Sequence, residues 1–127
     1  MRTEELYLTD IVDACGAIES FIAGLPKETV LGTDLILSAV IRKLEIVGEA
    51  SSRLSEPLRE EFREIDWKAI IGFRNILAHQ YFSCDPDIIW EAASNRIGHL
   101  KLQIQTILRS KHHNCHGCPL RRRYLHR

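Results

Sequence analysis

The chain predicts an all-α fold, an up-and-down bundle of four main helices plus a short one. Three observations predict it. Apolar residues recur at helical spacing in four long stretches, Gly and Pro fall between those stretches, and no segment alternates with period two for long enough to argue a strand.

Leu8, Ile11, Val12, Cys15, Ile18, Phe21 and Ile22 define a first helix, and Gly24 with Pro26 ends it. A second starts near a Thr33 cap and runs to about Leu54. Its apolar face is Leu37, Val40, Ile41, Leu44, Val47, Gly48, Ser51 and Leu54. Gly48 costs that helix about 1 kcal/mol against Ala, so a close helix–helix contact is expected there. Ser55 followed by Pro57 caps a short third helix reaching Phe62. Asp66 caps a fourth, which begins Trp67-Lys68-Ala69-Ile70-Ile71 and ends near Phe82. Asp85-Pro86 opens a fifth, with Ile89, Ala93, Ile97, Leu100, Ile104 and Ile107 on one stripe. Trp67 and Trp90 read as packing residues, Cys84 as a loop or cap residue and His99 as a surface histidine.

Length implies one domain, and a core this small makes self-association a reasonable expectation. No apolar run approaches the ~20 residues that span a bilayer, Met1-Arg2-Thr3-Glu4-Glu5 does not read as a signal peptide, and Cys15, Cys84, Cys115 and Cys118 do not form a secreted disulfide framework. A cytoplasmic setting is expected.

Apolar periodicity stops at Leu108, dividing a bundle, 1–108, from a basic His/Cys-rich tail, 109–127. The tail holds six of the chain's 17 cations and none of its 17 acids, so residues 1–108 carry a net charge of −6. Phosphate contacts dominate nucleic-acid affinity, so such a body is a poor nonspecific nucleic-acid binder. An enzyme with a small cationic cleft remains open. The tail run His112-His113-Asn114-Cys115-His116-Gly117-Cys118 has the donors for a tetrahedral zinc site, yet all lie within seven residues. A flexible appendage that assists contacts by charge is the preferred reading.

The fourth helix carries the unusual residues: Arg74, Asn75, His79 and Tyr81. At ~100° per residue Arg74, Ala78 and Tyr81 lie close around the helix, Asn75 and His79 share a neighbouring face, and His79 is about 140° from Arg74. A straight helix does not bring Arg74 and His79 together. The long arginine bridges the gap, the helix ends near His79, or a second copy completes the cleft. These groups suit RNA cleavage by the 2′-hydroxyl: histidine moves protons near neutrality and arginine offers phosphate a charged fork. The reaction calls for no metal and no cofactor. A surface hydrogen-bond network would use the same residue types.

Arg74 to His79, with Asn75 after the arginine, resembles the HEPN ribonuclease motif. The wider text resembles the HepT-like toxin branch through the blocks 39–50, 67–75, 79–82 and 87–91. Gln80 stands where that family usually has a small residue. The resemblance implies a HEPN-like homodimer whose two motifs face each other, and a metal-independent endoribonuclease toxin paired with a nucleotidyltransferase (MntA-like) antitoxin. Carried over, Arg74 binds or polarises phosphate, Asn75 orients the site, His79 is the acid–base residue, and Tyr81 is the tyrosine that the antitoxin modifies with AMP. Arg42, Glu45, Glu49 and Ser52 share one polar face of the second helix. Either they form a solvated face of weak ion pairs, or Arg42 and Glu49 line the cleft and Glu49 orients the arginine. A non-catalytic module that docks a nucleotidyltransferase and presents nucleotide or substrate is the rival of the enzyme.

Overall fold

A computed structural model describes residues 3–79 and 84–113. Among them the elements are α1 (Glu4–Ile22), α2 (Lys27–Gly32), α3 (Asp34–Ser52), α4 (Glu56–Glu61), α5 (Trp67–His79), α6 (Pro86–Glu91), a π-helical stretch (Ala92–Arg96) and α7 (Ile97–His113). The described residues form no strand.

The caps explain most starts. Ser55 Oγ accepts from Leu58 N at 3.3 Å, Asp66 Oδ1 from Ala69 N at 3.1 Å and Asp85 Oδ1 from Asp87 N at 2.9 Å. Thr3 does the same for α1, accepting from Leu6 N at 3.3 Å. Thr33 occupies the N-cap of α3, but its side chain makes no cap hydrogen bond. Gly24, with φ 74°, turns the chain beyond α1.

Three expectations need correction. A second short helix, α2, precedes α3 and is tied to the start of α6 by Lys27 Nζ–Asp87 Oδ1 at 2.7 Å. Six residues are too few to show a helical period, and Gly32 reads as a breaker. Phe21, on the apolar spacing that defines α1, is exposed. The fifth predicted helix is three pieces in continuous register. Its stripe, Ile89 through Ile107, is buried throughout. Two successive steps of four, Ile89 to Ala93 to Ile97, would drift about 80° around a pure α-helix. The wider π turn absorbs that drift and keeps all three inward. α7 continues to His113, five residues beyond Leu108; the rest of the tail, with Cys115, His116 and Cys118, lies outside the described residues.

The long helices lie in the spatial order α5, α3, α1, α7. α1, α3 and α7 enclose the core, with Leu8, Ile11, Cys15, Ile18, Val40 and Ile104 fully buried. Burial, with the Glu19 carboxylate adding to it and Lys101 opposing it, pushes the Cys15 thiol up to about 12. Cys84 is raised too, by burial and then by Asp85, and donates weakly to Asp85 O at 3.9 Å, which fits a cap-flanking residue rather than a nucleophile.

α5 packs chiefly on α3 alone. Only Trp67 and Leu77 of its residues are buried, Trp67 also donating from Nε1 to Phe62 O at 3.2 Å. Ala69, Ile76 and Ala78 are exposed, and Ile70, Ile71 and Phe73 are half-covered. The α3–α5 contact is intimate at one point. A Cβ built on buried Gly48 would overlap Arg74 Cβ and stand 2.7 Å from Arg74 Cγ and 3.4 Å from its Cα. Glycine is required here because the Cβ and Cγ of Arg74 occupy the space that a side chain would need.

A pair of substitutions tests this. Gly16→Ala, in α1 where the nearest atom to an added Cβ is Lys101 Nζ at 4.0 Å, should stabilise the fold by up to about 1 kcal/mol through helix propensity. Gly48→Ala has the same propensity gain but must displace α5, and should cost roughly 1–3 kcal/mol. Urea unfolding of both variants reads the two signs; stabilisation by Gly48→Ala would refute the close contact.

Candidate active site

Asp66 starts α5, and the Gly48 contact fixes Arg74 against α3. From that anchor the guanidinium reaches two partners. Arg74 Nη2 pairs with Glu49 Oε2 at 3.0 Å, and Arg74 Nη1 donates to Asn75 Oδ1 at 3.0 Å. Glu49 is shared. Its other oxygen, Oε1, accepts from Arg53 Nη2 at 3.0 Å and Arg53 Nε at 3.1 Å, one turn along α3. The cluster is two guanidiniums around one carboxylate, with Asn75 closing one end, and its net charge is +1.

The cluster sits between two concavities. A cleft of about 230 Å³ is lined by Tyr7 and Asp10 of α1, by Arg42, Ile46 and Glu49 of α3, and by Arg53 at the C-cap of α3. A wider groove of about 830 Å³ runs between α4 and α5, past Arg59, Arg63, Trp67 and Lys68 to Gly72 and Asn75. Arg74 is bonded to a residue of each, Glu49 on one side and Asn75 on the other. Arg42 is exposed and lines the smaller cleft.

Of the residues singled out by sequence, the structure brings together Arg74, Asn75 and Glu49. It does not bring His79 to Arg74. His79 is exposed at the end of α5, about 7.5 Å along the helix and about 140° around it from Arg74 by helix geometry, while Arg74 is turned toward α3. Of the three ways to close that gap, the arginine as placed does not bridge it. Tyr81, Gln80 and Phe82 lie outside the described residues. His99 is exposed, as expected.

On the polar face of α3, Glu49–Arg53 is an ordinary i,i+4 surface pair, and the same carboxylate pairs with Arg74. Arg53 was missed by the motif-centred reading. Its signal was present, a Glu followed four residues later by an Arg on the face that carries Arg42 and Glu49. The groove cations Arg59, Arg63 and Lys68 were hidden among Glu56, Glu60, Glu61, Glu64 and Asp66.

Chemically, Arg74 uses two of its five N–H donors internally and keeps three for an external anion. His79 offers an exposed imidazole for proton transfer. Among the described residues no three His, Cys, Asp or Glu side chains are grouped to hold a metal ion, and no helix is long and apolar enough to cross a membrane.

Comparison with known proteins agrees with the motif. The family model described as Ribonuclease HepT-like matches residues 11–107. The chain is 31% identical over 106 residues to the protein named "Putative RNase MJ1380" of Methanocaldococcus jannaschii, covering 84% of this chain and 97% of that one. It is 33% identical over 111 residues to "Putative RNase TTE0752" of Caldanaerobacter subterraneus subsp. tengcongensis, covering 87% and 99%. It is 35% identical over 100 residues to "Probable ribonuclease HepT" of Thermococcus cleftensis, covering 79% and 91%. No solved structure gives a significant match. With its four-block motif text, its helical fold and these matches, the chain belongs to the HepT-like ribonuclease family.

Proposed function

We propose that this protein is a metal-independent endoribonuclease and the toxin of a toxin–antitoxin pair. The observation that carries the reading is the anchored Arg74 guanidinium, with three donors left over, on the same helix as an exposed His79 in a family of ribonucleases. In the reaction the 2′-oxygen attacks the adjacent phosphorus and loses its proton to a base. The P–O5′ bond breaks, O5′ takes a proton from an acid, and a 2′,3′-cyclic phosphate remains. His79 serves as the acid–base residue, Arg74 binds the phosphoryl oxygens as negative charge grows on them, and Asn75 orients the guanidinium. Arg42 adds positive potential at the cleft rim.

The active unit is a homodimer. Two features support this: α5 leaves Ile76 and Ala69 uncovered, and Arg74 and His79 point apart on one chain. A second copy on α5 covers the apolar side and sets the two motifs face to face. The partner that silences the enzyme is an MntA-like nucleotidyltransferase antitoxin, which transfers AMP to Tyr81. The AMP phosphodiester can pair with Arg74 and take the place of RNA phosphate. The cations of 109–127 strengthen contact with RNA or the partner through charge.

Cleavage of a defined RNA should proceed in EDTA and yield the cyclic phosphate or its hydrolysis product. His79→Ala and Arg74→Ala should each lower kcat by roughly 10²–10⁴-fold at unchanged helicity. Activity that requires added magnesium or manganese, or that survives His79→Ala, refutes the mechanism. Light scattering should give about twice the 14.6 kDa chain mass, and Ile76→Glu should halve it and abolish cutting; a monomer that cuts RNA at full rate rules out the shared cleft. Incubation with the cognate nucleotidyltransferase and ATP should add AMP to Tyr81, with loss of activity, and Tyr81→Phe should resist. Equal silencing of Tyr81→Phe would show inhibition by docking instead.

A further inference from the structure

We propose that Arg53 and Glu49 are positioning residues for Arg74: Arg53 locks the Glu49 carboxylate, and the locked carboxylate sets the plane of the Arg74 guanidinium. The proposal rests on the reading of Arg74 as the phosphate-binding cation.

The geometry separates the two oxygens of Glu49. Oε1 takes both Arg53 donors, Nε and Nη2, at 3.1 and 3.0 Å, and Oε2 is left for Arg74 Nη2 at 3.0 Å. A guanidinium gripping one oxygen through two nitrogens fixes the carboxylate more firmly than a point charge does. Arg74 is then held at two corners, by Glu49 through Nη2 and by Asn75 through Nη1. A planar group held at two corners has a fixed orientation, so the directions of its three remaining N–H groups are fixed with it.

Exposure tells against a purely structural role. The side chains of Arg53, Glu49 and Arg74 are 62%, 42% and 34% exposed, and pairs this open add little to folding stability. Their effect falls on orientation and on local charge. With Arg53 the cluster is +1; without it, Glu49 and Arg74 form a neutral pair whose carboxylate swings freely and competes with phosphate for the Arg74 donors. Arg53 thus works on Arg74 through Glu49, without touching RNA.

Steady-state cleavage of a short RNA tests this, together with ¹⁵N side-chain NMR of the arginines in RNA-free protein. Arg53→Ala should lower kcat about tenfold with KM changed less than about twofold, as expected for slight misplacement of a group used in the transition state. Arg53→Lys should not rescue it, since an ammonium cannot make the two-nitrogen grip. Glu49→Gln should lower kcat as well, and Arg53→Ala should add nothing in its presence. The Arg74 Nη protons, slowed by two hydrogen bonds in the wild type, should average in both variants. Glu19→Gln, which breaks the Lys101–Glu19 pair at 2.8 Å between α7 and α1, should leave kcat and the Arg74 signals unchanged. Unchanged kcat and Arg74 signals in Arg53→Ala would overturn the proposal, as would losses that multiply in the double variant. Rescue by lysine, with a salt slope reduced by about 1 in Arg53→Ala, would make Arg53 a direct phosphate contact instead. If the wild-type chain cuts no RNA, the ribonuclease reading fails, while the Arg74 signals still decide whether Arg53 holds Glu49 and Arg74.

Discussion

The site depends on the absence of a side chain at Gly48. Because nothing projects from α3 at that point, Arg74 Cβ rests against the α3 backbone and its guanidinium opens one residue further along, at Glu49. A larger residue would push α5 outward and take the arginine from its carboxylate. The helix accepts a propensity cost of about 1 kcal/mol at this position, and the return is a fixed origin for a long, flexible cation. Side-chain bonds at the surface are weak singly; backbone proximity makes this set geometrically consistent.

The same contact explains why α5 has so little else to hold it. The core belongs to α1, α3 and α7, where the fully buried aliphatic side chains collect. α5 adds Trp67 at its start and Leu77 near its end, and between them touches α3. A helix of such apolar composition, covered on one side, presents Ala69 and Ile76 outward on a common face. Such a face has more to gain from association than from water. The proposed dimer uses the side of α5 that the fold of one chain leaves over.

Much of this was legible in the sequence. Asp66, Ser55 and Asp85 announced their helices because cap chemistry is local: one side-chain oxygen and one backbone N–H three or fewer residues away decide it. The apolar stripe from Ile89 to Ile107 was legible because burial enforces period, and even its two steps of four held the trace of the π turn. What could not be read was the less periodic or the non-local. α2 is shorter than two turns. Phe21 follows the pattern of α1 yet is left partly exposed near the end of that helix. The tie between Glu49 and Arg74 joins residues 25 apart in sequence, and helix geometry alone allowed Glu49 to face solvent or cleft. Arg53 was visible as half of an i,i+4 pair, but its link to Arg74 through a shared carboxylate exists only in three dimensions. Tyr81 was reached through the motif, and the described residues do not include it.

Charge shows why so small a site suffices. With residues 1–108 at −6, most of the bundle surface repels a polyanion. Positive groups gather in two places within the described residues near the motif: Arg42 and Arg53 along α3 with Arg74 of α5 paired to Glu49 beside them, and the Arg59–Arg63–Lys68 side of the α4–α5 groove. Each is interleaved with acids, so neither binds an RNA backbone strongly at random. Under the proposed reaction that balance has a use. Weak general affinity limits unproductive coating of RNA, while a guanidinium held by neighbouring dipoles and charges is already oriented when a phosphate arrives. Orientation fixed beforehand favours the transition state over the bound substrate, since the charge it stabilises is largest as the P–O5′ bond breaks. An acidic body with one anchored arginine is therefore consistent with a nuclease that gains its rate from placement more than from grip.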